Sequence, residues 1–147
     1  MLNYTTKIDA NQTVGEIQRL LAQKNVKEIM VKYDNGFPSA LMFSVCFGNE
    51  MLSYKLPCKW EKVHKILQIE AKTSAQKTRT HALNVAWRVI KDWVESQIAL
   101  IETEMVDMSE VFLPYQMIDS VTVYERFTST KLLSKRDEKK GDFDEQN

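Results

Sequence analysis

Residues 80–105 read Thr-His-Ala-Leu-Asn-Val-Ala-Trp-Arg-Val-Ile-Lys-Asp-Trp-Val-Glu-Ser-Gln-Ile-Ala-Leu-Ile-Glu-Thr-Glu-Met, with neither glycine nor proline. Leu83, Trp87, Ile90, Val94, Ile98 and Ile101 recur at steps of three and four, the spacing of one helical face. Ala86, Val89, Trp93 and Leu100 form a second apolar strip beside it, while Asn84, Arg88, Lys91, Asp92, Glu95 and Glu102 gather on a polar stripe. A helix apolar over more than half its circumference needs cover on two sides. The stretch is therefore expected to be the spine of the fold. Trp87, Ile90 and Val94 are its expected core residues.

Upstream, Leu2, Tyr4, Thr6 and Ile8 alternate with polar residues and predict a first strand. Thr13-Val-Gly-Glu16 has the form of a capping box, so a helix is expected to start there and to stop near Asn25, which tolerates a left-handed turn. Three alternating runs follow. Ile29, Val31 and Tyr33 lead to Asn35-Gly36, a strong hairpin signal. Leu41, Phe43, Val45 and Phe47 share the inward face of the next run, and Leu52, Tyr54 and Leu56 that of the last, before Pro57. Trp60, Val63 and Leu67 then return to helical spacing, and 71–78 is a polar connection to the spine.

Downstream, residues 109–113 predict one short turn before Pro114, which cannot continue it. Thr122, Tyr124 and Phe127 predict a final strand or extended arm. Residues 134–147 are almost all polar or charged and are expected to be disordered. The expected fold is α+β, a single domain over 1–133. It has an N-terminal strand and helix, a three-stranded antiparallel meander, and the long spine helix covering the sheet.

The formal net charge is zero, yet its distribution is uneven. Residues 59–91 carry eight Lys/Arg against Glu61 and Glu70, whereas 92–125 carry eight acids and no Lys or Arg. The sign changes inside the spine, between Lys91 and Asp92, and runs against the helix dipole. Two explanations compete. Either these charges pair with other elements, or with a second copy in an antiparallel homodimer; or the basic start of the spine receives an anion. Lys59, Lys62, Lys65, Lys77, Arg79 and Arg88 are the candidate anion-binding residues, with Lys59, Lys62 and Lys65 fanned over about 120° of one helix.

Most chemistries are excluded by what is missing. Four scattered glycines make neither a phosphate-binding loop nor a dinucleotide fingerprint. Cys46, Cys58, His64 and His81 lack the close spacing of zinc ligands, so no metal or cofactor is expected. Two cysteines are too few for a disulfide framework, no run of eighteen apolar residues is present, and the start lacks a signal-peptide pattern; a cytoplasmic setting without membrane contact is expected. Glu70-Ala71-Lys72 has the acid-x-lysine form of metal-dependent nucleases, with Asp34 or Glu50 as the upstream acid. It falls, however, at the end of a helical rather than an alternating run.

Helix, three strands and helix is also the element order of double-stranded RNA-binding domains. Their lysine cluster and Gly-Pro-x-His loop are not reproduced by residues 57–62 or 35–38. A longer likeness runs through Val85-Ala-Trp-Arg88, Lys91-Asp-Trp-Val-Glu95, Ala99-Leu-Ile-Glu102, Met105 and Val111-Phe-Leu-Pro-Tyr115. This segment resembles small uncharacterised proteins of bacteriophages and prophages. The resemblance implies a mobile-element origin and a small non-enzymatic protein that handles nucleic acid or binds a host protein, and it carries over no catalytic residue. The expected function is thus binding of nucleic acid, or of a nucleotide-like anion, on the basic face at 59–91. A homodimeric protein-binding or inhibitory module is the alternative, and a metal-dependent nuclease the third reading.

Overall fold

The computed structural model describes residues 1–130, so the expected tail at 134–147 and the last residues of the expected domain lie outside the described residues. Helix α1 (Ala10–Ala22) is followed by strands β1 (Val26–Asp34), β2 (Phe37–Phe47) and β3 (Glu50–Pro57), then by α2 (Trp60–Glu70) and the spine α3 (Arg79–Glu102). The strands form an antiparallel meander in the order β1-β2-β3. The α+β reading holds, with helices on one face of the sheet.

Local chemistry explains the turns. Asn35 (φ 50°) and Gly36 (φ 81°) take the two left-handed positions of the β1–β2 turn. Asn25 (φ 63°) lies just past the end of α1, where the sequence predicts the stop. The inward residues Leu41, Phe43, Tyr54 and Leu56 are buried with Ile17 and Leu21 of α1 and with Trp87, Val94 and Ile98 of the spine. Phe43 stacks on Tyr54 at 5.2 Å. The indole N–H of Trp87 donates to the Pro38 carbonyl at 3.0 Å, fastening the spine to the start of β2. Phe47, expected inward, stands 63% exposed at the end of β2, beyond the reach of the helices.

The N-terminus departs from expectation. Residues 2–5 make a turn around Asn3 (φ 63°) rather than a strand. The segment bonds instead to the spine: Asn3 Nδ2 donates to Asp92 at 2.7 Å, and the Tyr4 carbonyl meets His81 Nε2 at 2.5 Å. With its backbone held by helix side chains, the segment does not join the sheet. The expected Thr13–Glu16 capping box does not form either. Asp9 caps α1 four residues earlier by accepting from the Asn11 amide at 2.9 Å, which leaves Thr13 buried inside the helix and frees Glu16 to pair with Arg88.

Two ion pairs between α1 and the spine follow the inverted charge order. Ala10 N–H bonds to Asn84, Glu16 pairs with Arg88, and Lys24 meets Glu102 at 2.7 Å, so α1 and α3 run side by side in the same direction. Glu16 lies midway along α1 and Lys24 just past its end, so here the acid comes before the base. The parallel spine carries the complementary order. The more exposed Lys24–Glu102 pair adds little stability alone, but with Arg88–Glu16 it matches the two helices in register.

The second apolar strip of the spine is covered within the chain. Ala82 and Val85 are buried against Leu67 of α2, with Trp60, Val63 and Val89 packed around them. Trp93 meets Phe112 edge-on at 5.4 Å and Tyr115 at 5.5 Å. No large apolar side chain of α3 is fully exposed, although Val89, Ile90 and Trp93 line an open groove. Trp87 and Val94 are fully buried as expected, but Ile90 is only half-buried, because it lines that groove with Leu56 and Pro57 of β3, Trp93 and Tyr115.

The C-terminal part closes the β3 side. Helix α4 (Met108–Val111), the short turn expected before Pro114, opens with a capping box between Asp107 and Glu110, and a further 3-10 turn at Leu113–Tyr115 then takes in Pro114 itself. Beyond it, the expected final strand or arm is instead a small hairpin, β4 (Met117–Ile118) and β5 (Val121–Thr122), followed by α5 (Val123–Thr128). A second capping box, Thr122 with Glu125, turns the chain into helix just where the alternation suggested extension.

Candidate nucleic-acid interface

Helix α2 buries Leu67 and packs Trp60 and Val63 against the spine. The 3.6-residue period therefore turns Lys62 and Lys65 outward, where both are exposed. Lys59 is exposed at the N-cap position of α2. Among the described residues none of Lys59, Lys62, Lys65, Lys77 and Arg79 takes part in an ion pair.

The six candidates do not form one patch. Lys77 sits on the other flank of α2, its carbonyl accepting from Gln68 Nε2 at 2.6 Å and lying 2.9 Å from His64 Nε2. The Arg79 guanidinium lies 4.8 Å over the Trp60 ring and 6.0 Å from that of Phe37, a cation–π placement that holds it beside the start of α2. Arg88 belongs elsewhere. Its guanidinium pairs with Glu16 and reaches Thr13 Oγ1 at 3.4 Å, and its side chain is only 14% exposed. It joins α1 to α3 and stands outside the basic face.

The structure adds residues that the sequence did not single out. Lys55 from β3 and Lys59 line an open cleft of about 500 Å³ with Pro57, Pro114, Tyr115, Thr122, Tyr124 and Glu125. The cleft exists because the 3-10 turn and α5 return alongside β3, where Gln116 bridges to Tyr54. Lys55 reads in the sequence as an ordinary outward strand residue and Tyr124 as part of a strand; only the return of the chain brings them together. Glu125 accepts from the Thr122 amide at 3.2 Å and its hydroxyl at 3.0 Å. Those bonds, more than the nearby Lys55 and Lys59, lower its pKa from the ordinary carboxylate value.

Next to the cleft, sharing Pro57 and Tyr115, runs an apolar groove of about 300 Å³ lined by Leu56, Val89, Ile90 and Trp93. Glu70 ends α2, 3.7 Å from the N-terminal ammonium, and Lys72 follows in a bend rather than a strand. Among the described residues no three His, Cys, Asp or Glu side chains gather where a metal ion is held. No helix among them is long and apolar enough to cross a membrane. Comparison with protein-family models, with curated proteins and with solved structures returns no match for this chain.

Proposed function

We propose that this chain is a non-catalytic binding protein, of the kind its phage and prophage resemblance implies, that holds a nucleic-acid strand on the Lys55–Lys59 cleft and the outer face of α2. The observation that carries the reading is the joint lining of one open cleft by two tyrosines and two cations that have no ion-pair partner among the described residues. Cations neutralise phosphates, and aromatic rings offer stacking surfaces to unpaired bases. The lysines at 62 and 65 extend the positive surface past the cleft. Arg79, already lying on Trp60, borders the same end of the helix.

The test is a titration of labelled single-stranded DNA and RNA of mixed sequence at several salt concentrations. Binding should weaken steeply with salt, and Lys59, Lys62 and Lys65 changed together to Ala should flatten the log–log slope by up to about three units. Failure of any strand to bind at about 50 mM salt would remove the reading.

The neighbouring apolar groove supports a second reading, in which a host protein docks an apolar segment across Leu56, Ile90 and Trp93. In that case affinity would depend on the groove residues and barely on salt.

A further inference from the structure

The two edges of the sheet are treated differently. β3 is flanked by later chain, whereas β1 pairs with β2 and with no other strand among the described residues. The direction of its free hydrogen-bonding groups follows from the turns. Phe47 and Glu50 close a two-residue turn and form a hydrogen-bonded pair, so every second residue of β2 back from Phe47 bonds to β3. Ala40, Met42 and Ser44 then direct their backbone groups to β1, to their partners Lys32, Met30 and Glu28. Ile29 and Val31 are left with amides and carbonyls on the open edge.

We propose that this edge joins two copies of the chain, β1 to β1 and antiparallel, in the register centred on Met30. Register shifts between Val26 and Glu28 and between Lys32 and Tyr33 bracket a regular run of five residues, and Met30 is its middle. In this register Ile29 and Val31 of one copy exchange backbone bonds with Val31 and Ile29 of the other, and Met30 faces its own counterpart. On the open face each Glu28 stands opposite a Lys32 of the second copy.

Charge selects the register. Slipping one way by two residues in the centre brings Glu28 against Glu28, and slipping the other way brings Lys32 against Lys32; a centre on Val31 sets Glu28 against Asp34, and one on Ile29 forms neither Glu28–Lys32 pair. Like charges directly opposite destabilise a strand pair, and unlike charges stabilise it. The charged edge thus resists indiscriminate pairing while admitting one partner, a second copy. Half-buried Ile29 and Val31, packed against the core from one side, gain cover from the partner sheet.

None of these residues lines the Lys55–Lys59 cleft, so the proposal stands apart from the nucleic-acid reading. The experiment uses sedimentation of the full chain at about 100 µM, a concentration at which a small interface is populated. The chain should sediment as a dimer. Glu28→Lys alone and Lys32→Glu alone should each loosen it by about tenfold, with unchanged circular dichroism. Mixing the two variants should restore association, because both cross-strand pairs are again of opposite sign.

A second readout fixes the register. In a Cys46→Ser background, Met30→Cys should form a disulfide between copies, since its partner Cα lies within about 5.5 Å. Tyr33→Cys is equally exposed, yet in this register its counterpart is about 20 Å away and it should stay unlinked. A monomer at this concentration, single variants as tightly paired as the unaltered chain, or equal cross-linking at both positions would overturn the proposal.

Discussion

The β3 and β1 edges of one small sheet show two ways of dealing with unpaired backbone. At β3 the chain returns on itself: Gln116 bridges to Tyr54, and Phe112 packs edge-on to Phe43 at 5.4 Å. The cover is part of the same chain and is therefore permanent. The gap it leaves is the lysine–tyrosine cleft. At β1 the described residues provide no cover. Protection there comes from bulges at both ends and from Glu28 and Lys32 placed symmetrically about Met30. The covered edge leaves a concave cleft, and the open one leaves a strand flanked by opposite charges.

The largest test of this difference is mechanical. Phe112 is fully buried among Phe43, Tyr54 and Trp93, so Phe112→Ala should cost about 3–5 kcal/mol in denaturant unfolding. Ile29 is half-buried on the open edge, and Ile29→Ala at low concentration should cost only about 1 kcal/mol. If β1 pairs between copies, the Ile29→Ala deficit should grow with protein concentration while that of Phe112→Ala stays constant. Equal losses at the two sites would show that the edges are not differently protected.

A smaller effect, but one with a decisive sign, comes from Glu125. Gln also serves in a capping box, so Glu125→Gln keeps α5 capped while removing the only acid among the described residues that line the cleft. Strand affinity should rise by about threefold, in the direction opposite to the lysine changes, and the gain should shrink with added salt. A fall in affinity would mean that the cleft receives a cation rather than a phosphate.

The sequence carries the meander because alternation and the Asn35-Gly36 turn act locally, and it carries the spine because no breaker interrupts its period. What it conceals depends on competition between segments. Leu2–Ile8 alternates like a strand, but Asn3 and Tyr4 are bound by Asp92 and His81 far along the chain. Tyr124 and Phe127 alternate weakly, and Thr122 with Glu125 wins by starting a helix. The site was legible in part for the same reason. Lys59, Lys62 and Lys65 follow from helical spacing, whereas Arg88 looks equally basic in sequence and is withdrawn by Glu16, 72 residues away in the chain and adjacent in the fold. Lys55 and Tyr124 meet only after the chain has folded back along β3.

The two cysteines offer the finest probe of the contrast. Cys46 is exposed on the open face, while Cys58, just past β3, is 6% exposed, its amide bonded to the Ser39 carbonyl at 3.0 Å. Burial first, and Glu61 second, push the Cys58 thiol up to about 12, opposed by a backbone hydrogen bond at Trp60. At about pH 8 a thiol reagent should modify Cys46 at once and Cys58 only after unfolding. The same shift makes stability depend on pH with a definite sign. The folded chain keeps the Cys58 proton where the unfolded chain, with its ordinary value near 9.0, has lost it. The contribution is complete below about pH 9 and is lost as pH rises toward 12, at up to about 1.4 kcal/mol per pH unit. Cys58→Ala should flatten that alkaline slope, and Cys46→Ala should leave it unchanged. Simultaneous modification of both thiols in the native protein would show that the covered side of the sheet is as open as the other.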